Sequence, residues 1–438
     1  MHKVNLFTII IYQLVVISGL HAQDITITEE DKVPFYTLPE ILLSEEGEKI
    51  DNSYEWMQIR RPEILDMFRR QVYGKVPENE IKVSFVPSET KYIALSGKAV
   101  RKEISIIVSN GIDSVNISLL IYLPDKKTQP VPLFIGLNFY GNHTVNSDPG
   151  ITLTPNWVRN NEEYYVTENK ATEMSRGVRK SRWPVEKILD RGYGLATIYY
   201  GDIDPDYDDG FKNGIHPLFY KGNQQNPAPD EWGSISAWAW GLSKAMDYFE
   251  TDPDIDQNKI AVFGHSRLGK TSLWAGARDS RFAIVISNDS GCGGAALSRR
   301  QFGETVKRIN TVFPHWFCKN FHQYNNNEEK LTVDQHMLVA LIAPRPVYIA
   351  SASEDLWADP KGEFLSAMLA GEVYKLFGKE VEVNGRSPLL EVTEMPENNH
   401  PVNQGYIGYH IRQGKHDITW YDWQNYLDFA DRHFSRLD

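Results

Sequence analysis

The spacing of apolar residues changes along the chain near residue 130. Before that point lie the runs "IKVSFVPSE", "RKEISIIVSN" and "DSVNISLLIYLP", and the last two alternate apolar with polar positions. Alternation with a period of two predicts antiparallel strands that expose one face to solvent. Further upstream, "NSYEWMQIRRPEILDMFRRQVYG" predicts a helix, whose apolar positions include Ile64, Leu65, Met67 and Phe68.

From Pro132 onward, the apolar residues form continuous runs that are separated by helix patterns. The runs are "PLFIGLNF", "GLATIYY", "KIAVFGH", "FAIVISND", "PVYIASAS" and "IGYHIR". The helix patterns between and after them include "SISAWAWGLSKAMDYFE" and a terminal "WYDWQNYLDFADRHF". Fully apolar strands that alternate with helices predict a mostly parallel central sheet covered by helices on both faces, a three-layer sandwich.

One long polar stretch, about residues 141–183, interrupts this alternation. It includes "NNEEYYVTENKATEMSRGVRKSRW" and is too long for a plain connection. We expect an insertion over the carboxyl edge of the sheet, where loops shape substrate pockets.

Four polar residues follow the predicted parallel strands at their carboxyl ends, where such sheets bind ligands. Ser266 follows "IAVFG", Asp289 follows "AIVISN", Asp355 follows "VYIASASE" and His416 follows "YHIRQGK". Each alone would more often be a helix cap or a turn residue. Together, in the order serine, acid, histidine, they predict the nucleophile, acid and base of an α/β-hydrolase.

The nucleophile turn departs from the usual spelling, G-x-S-x-G. In "GHSRLGK" the second glycine is replaced by Leu268, so the close contact of that turn is either relaxed or made by Gly269. We expect the side chain of His265 to point away from the site, and His410 is the alternative base to His416.

A phosphate-binding loop is the competing interpretation of the same stretch. "GHSRLGKT" matches G-x-x-x-x-G-K-[ST] letter by letter. That interpretation is weaker because only one glycine lies inside the loop, and because it leaves the acids and the histidine at the later strand ends unexplained.

Composition and charge narrow the class of protein. The chain has 438 residues and a formal net charge of −12, without a basic cluster, which argues against nucleic-acid binding. Residues 1–22 resemble a secretory signal peptide; a membrane anchor is the weaker reading because Gln13 interrupts a short apolar run. We therefore expect a secreted or periplasmic monomer that is not embedded in a membrane, with one catalytic domain over residues 23–438.

Two cysteines, Cys292 and Cys318, are present. In an oxidising compartment a disulfide between them is favoured over two buried free thiols. Such a bridge would close a short loop and contribute about 3 kcal/mol.

Several long blocks resemble the bacterial glucuronoyl esterases, family 15 of the carbohydrate esterases. The blocks are "GHSRLGK", "SNDSGCGGAALSRRQFGETVKRINTVFPHWF", "DQHMLVALIAPRPVYIASASEDLWADPKGEF" and "GKHDITWYDW", and the likeness runs from about Trp56 onward. The resemblance implies a secreted serine esterase with an α/β-hydrolase fold that needs no metal or cofactor. It also implies a substrate in which glucuronate side chains of xylan are esterified to alcohols of lignin.

The resemblance also implies roles for individual residues. Ser266 would be the nucleophile, His416 the base, and Arg267 a group that stabilises the oxyanion. Three further residues would hold the glucuronate ring and its hydroxyls, namely Lys270, Glu304 and Trp357. The family places its acid at either of two strand ends, which are occupied here by Asp289 and Asp355. At the first position family members usually have glutamate, and the shorter side chain of Asp289 has less reach. Asp355 is therefore favoured.

Two alternatives stay open at this point. One is an acetyl-xylan esterase, or another carbohydrate esterase, on the same fold. The other is a carbohydrate-binding protein on a hydrolase scaffold without activity, against which the intact set of serine, acid and histidine argues.

Overall fold

The computed structural model describes residues 26–88, 92–379 and 394–435. The predicted signal peptide, residues 1–22, lies outside these ranges. Among the helices that are described, none is both long and apolar enough to cross a bilayer.

The described part of the chain contains one ten-stranded sheet. Its strands, in chain order, are β1 (Lys82–Pro87), β2 (Tyr92–Ala94), β3 (Ala99–Ser109), β4 (Ser114–Pro124), β5 (Val131–Asn138), β6 (Gly194–Tyr199), β7 (Ile255–His265), β8 (Ile284–Asn288), β9 (Val347–Ala352) and β10 (Ile407–Arg412). They lie in the order β1-β3-β4-β6-β5-β7-β8-β9-β10, and β2 pairs with β3.

Strand direction follows the two spacings seen in the sequence. The strands β1 to β4 pair antiparallel with one another, and β4 also pairs antiparallel with β6. From β6 through β5, β7, β8 and β9 to β10, every pairing is parallel. The predicted antiparallel start and parallel main part are both confirmed.

Helices cover both faces of this sheet. The described α-helices are α1 (Ser53–Glu55), α2 (Arg61–Gln71), α3 (Val185–Asp190), α4 (Ser234–Phe249), α5 (Arg267–Arg278), α6 (Val306–Val312), α7 (Gln335–Ala340), α8 (Pro360–Lys375) and α9 (Trp420–Phe434). A π-helical segment, Trp56–Arg60, joins α1 to α2, so that the helix predicted around residues 53–71 is continuous.

Successive residues of a central strand enter two different cores. In β7, Ile260 and Val262 belong to the core beneath α2, α4, α5, α7 and α8. The intervening Ala261 and Phe263 belong to the core beneath α3 and α9. A strand that is buried on both faces needs apolar residues at every position, which explains the continuous runs. The predicted three-layer α/β-hydrolase architecture is confirmed.

The pairing register brings the carboxyl ends of three strands level. His265 of β7 pairs with Asn288 of β8, which pairs in turn with Ala350 of β9. Ser266 and Asp289 are therefore the next residues of adjacent strands. The loop after β9 carries Asp355 toward the same edge.

Residues 141–183 contain three 3-10 turns, Asn142–Thr144, Glu162–Tyr164 and Glu173–Ser175, and neither an α-helix nor a strand of the sheet. Four side chains of this segment, Arg159, Tyr164, Arg179 and Arg182, line the same cleft as Ser266. The segment therefore borders the candidate site.

The predicted disulfide is wrong, because Cys292 and Cys318 are both free, buried thiols. The Sγ of Cys318 lies 3.9 Å from the carbonyl oxygen of Arg70, at the end of α2. Cys292 follows β8. Burial raises the pKa of both thiols, that of Cys318 to about 12.

Candidate active site

Ser266 occupies a strained turn between β7 and α5. Its φ of 59° and ψ of −129° are rarely adopted by a residue with a side chain, and such strain marks functional turns. The Ser266 amide donates a 2.9 Å hydrogen bond to the carbonyl of Asn288 in the neighbouring strand, which holds the turn in place.

Two glycines allow this turn to form. A Cβ at Gly264 would lie 1.9 Å from the carbonyl oxygen of Leu268, so only glycine fits there. A Cβ at Gly269 would meet the side chain of Ser290 at 3.0 Å. The close contacts fall on Gly264 and Gly269, and Leu268 instead buries its side chain in the core.

His416 pairs with Asp355. The imidazole Nδ1 lies 2.5 Å from Asp355 Oδ2, while 41% of the His416 side chain is exposed. The ring of His265 lies 4.4 Å from that of His416, between centroids, and lines the cleft. The expectation that His265 points away from the site is therefore wrong, because its ring packs against His416 while its Nδ1 bonds Asn288 at 2.6 Å.

His410, the alternative base, is placed elsewhere. It is fully buried, with Nε2 2.8 Å from Asp422 and Nδ1 2.9 Å from the hydroxyl of Tyr348. Both ring nitrogens are therefore engaged away from Ser266.

Both candidate acids lie close to His416. One oxygen of Asp289, one of Asp355 and one ring nitrogen of His416 lie within 4.8 Å of one another. Asp289 Oδ2 accepts a 3.3 Å hydrogen bond from the amide of Asp417 and lies 3.6 Å from Arg412. Burial, together with the charges of nearby carboxylates, raises the pKa of Asp289 well above its usual range.

This trio is also the one group in the described residues whose spacing would suit a metal ion. Two aspartates and a histidine are ligands that divalent metals accept. However, His416 Nδ1 is already hydrogen-bonded to Asp355, which is the contact that orients a catalytic imidazole.

Arg267 is held by a buried carboxylate that the sequence analysis missed. Its guanidinium forms an ion pair with Asp206 and lies over the ring of Trp316, 4.5 Å from the centroid. Asp206 also accepts hydrogen bonds from Trp316 at 2.7 Å and Tyr200 at 2.9 Å, and contacts His315 at 3.0 Å.

These partners keep Asp206 ionised. Burial opposes the charge, but the positive charge of Arg267 and the bond to His315 outweigh it and hold the pKa of Asp206 well below its usual range. The sequence does contain an indication that this residue belongs to the site. Asp206 stands in "GDIDPDYDD", shortly after the strand "GLATIYY", where the rule applied to the other strand ends also points.

The three predicted sugar contacts lie together. The Lys270 ammonium is buried, donates to the Ser290 carbonyl and lies 3.9 Å from Glu304 Oε2. The amide of Glu304 donates to the Trp357 carbonyl at 3.0 Å. Burial lowers the pKa of Lys270 and raises that of Glu304. Trp357, in contrast, is exposed to 43%.

A cleft of about 190 Å³ opens onto the nucleophile, and we call it the Ser266 cleft. It is lined by Phe139, Tyr140, Arg159, Tyr164, Arg179, Arg182, Tyr200, His265, Ser266, Arg267 and His416. A larger cavity of about 610 Å³ is lined by Ala283 and Pro346, at the opposite ends of β8 and β9, and contains none of the candidate residues.

Comparison with known proteins reveals close relatives along nearly the whole chain. A family profile described as glucuronyl esterase of fungi matches residues 193–378. Carbohydrate esterase MZ0003, from an unknown prokaryotic organism, is 54% identical over 407 residues, which span 93% of this chain and 92% of that protein.

Solved structures of similar proteins also align with nearly the whole chain. A promiscuous CE15 esterase from the marine bacterial metagenome is 54% identical, with a TM-score of 0.85 over 93% of this chain and 100% of that chain. A glucuronoyl esterase from Solibacter usitatus is 46% identical, with a TM-score of 0.84 over 92% of this chain and 100% of that chain.

Proposed function

Because this chain belongs to the glucuronoyl esterases of carbohydrate esterase family 15, and is thus a carboxylic ester hydrolase, we propose that it cleaves esters of (4-O-methyl-)glucuronate through a Ser–His–acid triad. The proposed substrates are the ester links between glucuronate side chains of xylan and alcohols of lignin. The names of the relatives support a uronate ester, and the site geometry supports the serine mechanism.

In the proposed first step, His416 takes the proton of the Ser266 hydroxyl while the oxygen attacks the ester carbonyl. The tetrahedral intermediate collapses to an acyl-enzyme, and His416 returns the proton to the departing alcohol. Water, deprotonated by His416, then attacks the acyl-enzyme and releases the uronate. The strained φ of Ser266 and the shared cleft of Ser266 and His416 support these roles.

Asp355 is the proposed triad acid. A carboxylate on Nδ1 fixes the tautomer in which Nε2 accepts the serine proton, and it stabilises the imidazolium that forms. The 2.5 Å contact between Asp355 and His416 Nδ1 supports this assignment. Asp289, whose raised pKa favours the neutral form, is proposed as a second acid beside the pair.

Arg267 is the proposed oxyanion stabiliser, together with backbone amides at the start of α5. Negative charge develops on the carbonyl oxygen only in the transition state, so a fixed cation there lowers the barrier rather than merely binding substrate. Loss of one such donor costs about 3 kcal/mol of transition-state stabilisation.

Lys270, Glu304 and Trp357 are proposed to bind the uronate ring. A buried ammonium beside a carboxylate offers both a donor and an acceptor for sugar hydroxyls, and the exposed indole offers an apolar surface to the ring. We further propose one catalytic domain over residues 23–438, exported after removal of residues 1–22, that acts as a monomer on glucuronoxylan.

The pair formed by His416 and Asp355 beside the strained Ser266 is the observation that carries this proposal. The test compares hydrolysis of benzyl glucuronate, methyl galacturonate and acetylated xylan by the native protein and by Ser266→Ala. Benzyl glucuronate should be the best substrate, and the variant should be inactive.

Three other outcomes of these measurements would change the proposal. Preference for acetylated xylan would replace the proposal with an acetyl esterase. Activity that survives in Ser266→Ala would contradict the serine mechanism. Failure of Ser266 to react with a fluorophosphonate would support a binding protein without activity.

A further inference from the structure

Most side chains that line the Ser266 cleft come from the β5 side of the nucleophile strand, whereas the proposed sugar contacts come from the β8 side. Phe139 and Tyr140 follow β5, Tyr200 follows β6, and Arg159 and Arg179 belong to the 141–183 segment between those strands. In the sheet, β5 pairs with one side of β7.

Lys270, Glu304 and Trp357 come from α5 and from the segments after β8 and β9, and β8 pairs with the other side of β7. None of these three lines the Ser266 cleft. If they hold the uronate, the cleft is left for the alcohol portion of the ester.

The Ser266 cleft carries an excess of positive charge in a protein whose formal net charge is −12. Four arginines line it, and among its described lining residues none is aspartate or glutamate. Asp206 forms ion pairs with Arg267 and with Arg159, whose Nη2 lies 3.7 Å from Asp206 Oδ2. Asp417 forms an ion pair with Arg182.

Arg179 is the arginine without such a partner. Its guanidinium bonds the Tyr164 hydroxyl and lies over the same ring, 4.7 Å from the centroid. Within residues 26–88, 92–379 and 394–435, no carboxylate forms an ion pair with it. Its charge acts on its neighbour, since burial and then the charge of Arg179 lower the pKa of Arg182.

The remaining walls are aromatic. Phe139, Tyr140, Tyr164 and Tyr200 line the cleft, and the rings of Tyr140 and Tyr164 meet edge to face at 4.9 Å. A water molecule occupies about 30 Å³ of liquid, so a cleft of about 190 Å³ has room for a group of ring size. Aromatic walls together with a guanidinium suit a ring that bears an anion.

We propose that the Ser266 cleft is a subsite for a carboxylate carried on the ring of the alcohol portion of the ester, with Arg179 as its main partner and Arg159 as the second. This inference rests on the proposed function, which it deepens by naming a charge on the leaving alcohol. A planar guanidinium binds a carboxylate through two hydrogen bonds, whereas a neutral group in the same place gains at most one weaker bond.

The test measures kcat/KM of the full protein for two esters of glucuronic acid, 4-carboxybenzyl and 4-carbamoylbenzyl glucuronate. They have nearly the same shape and differ by one charge. At low salt the carboxylate ester should be preferred about fivefold, the size expected of a partly exposed ion pair. The preference should fall toward one at roughly 0.5 M salt, because salt screens exposed charges.

Variants of the cleft arginines would show which side chain produces the preference for the carboxylate ester. Arg179→Gln should lower the carboxylate-to-carbamoyl ratio to near one, and Arg159→Gln, at a side chain that is 47% exposed, should lower it in part. Lys180→Gln is the matched control, because this neighbouring exposed cation does not line the cleft and its removal should leave the ratio unchanged.

A ratio of one or below in the native protein would overturn the subsite, and so would a ratio that neither arginine variant changes. Both outcomes differ from a failure of the proposed function, in which the neutral carbamoyl ester would not be hydrolysed at all.

Discussion

Asp206 is fully buried and forms an ion pair with Arg267. It accepts bonds from Trp316 and Tyr200 as well, so its carboxylate is fixed before substrate arrives. A cation that is held in advance needs no reorganisation when charge develops on the carbonyl oxygen. In the proposed mechanism, Asp206 would therefore act as a positioning residue for Arg267.

Arg267→Ala should lower kcat by about a hundredfold, since the proposed oxyanion donor is lost. Asp206→Asn should lower kcat by roughly tenfold with a smaller change in KM, because the guanidinium is still present but no longer held. The measurement is steady-state kinetics on benzyl glucuronate.

A double variant distinguishes a role of Asp206 in positioning Arg267 from a general loss of structure. If Asp206 acts through Arg267, adding Asp206→Asn to Arg267→Ala should cost little further activity. Fully additive losses, or a large loss of kcat in Asp208→Asn, the exposed aspartate two residues on, would contradict this role.

The two acids beside His416 should differ in their contribution. Asp355→Asn removes the carboxylate that contacts Nδ1 and, if Asp355 is the proposed triad acid, should lower kcat by roughly ten-thousandfold. Asp289→Asn should cost much less, because Asp289 forms its hydrogen bond with a backbone amide rather than with the imidazole.

Single-turnover kinetics of both variants would check which of the two acids contributes more. Glu354→Gln, at an exposed neighbouring residue, is the control. A greater loss in Asp289→Asn than in Asp355→Asn would assign the triad acid to the strand end after β8 instead.

At the scale of elements, the loop that carries His416 is tied to the two elements on either side of it. Arg412, the last residue of β10, donates to the carbonyls of Lys415 at 2.7 Å and Asp417 at 2.6 Å, which flank His416. Its Nε bonds Asp422 in the first turn of α9 at 3.0 Å, and Asp422 accepts from the Thr419 amide.

Arg412→Lys should therefore lower kcat about tenfold or more, because an ammonium cannot span two loop carbonyls and Asp422 as a planar guanidinium does. The melting temperature of the variant should also fall, since the carbonyls of Lys415 and Asp417 lose their donor. Kinetics and thermal unfolding of the variant provide the measurement.

Lys415→Ala is the control, because only the backbone carbonyl of this exposed residue is used. Native kcat in Arg412→Lys would show that the loop holds His416 in place without this arginine.

At the scale of the whole molecule, buried acids connect stability to pH. Glu363 of α8 is fully buried and accepts from the Ser290 and Gly291 amides and from the Ser351 hydroxyl, at 2.6 to 2.9 Å. Burial raises the pKa of Glu363 to about 7 from 4.5. The folded protein thus holds a proton that the unfolded chain releases, and the free energy of unfolding falls as pH rises through this window.

Glu363→Gln should flatten the decline of the free energy of unfolding between about pH 4.5 and pH 7, because the isosteric amide does not titrate. Part of the slope should persist, since burial also raises the pKa of Asp202 to about 6. Urea unfolding of both proteins at a series of pH values gives the comparison. Parallel curves across this window would contradict a buried, raised pKa at Glu363.

The sequence by itself determined the layers of the sheet and the set of candidate chemical groups. Apolar runs such as those of β7 and β8 are required of strands buried on both faces, so local pattern alone predicts a parallel sheet. The carboxyl ends of such strands meet at one edge, and this places Ser266, Asp289, Asp355 and His416 near one another without any coordinates.

Only the tertiary structure decided which of those groups touch. Asp206 and Arg267 are 61 residues apart, and Asp355 and His416 are again 61 apart. The free thiols of Cys292 and Cys318, and the ring of His265 against His416, likewise depend on packing between distant segments. Periodicity reports which face of an element is buried, but ångström-scale contacts between loops are set by side-chain packing of the whole chain, which no local pattern contains.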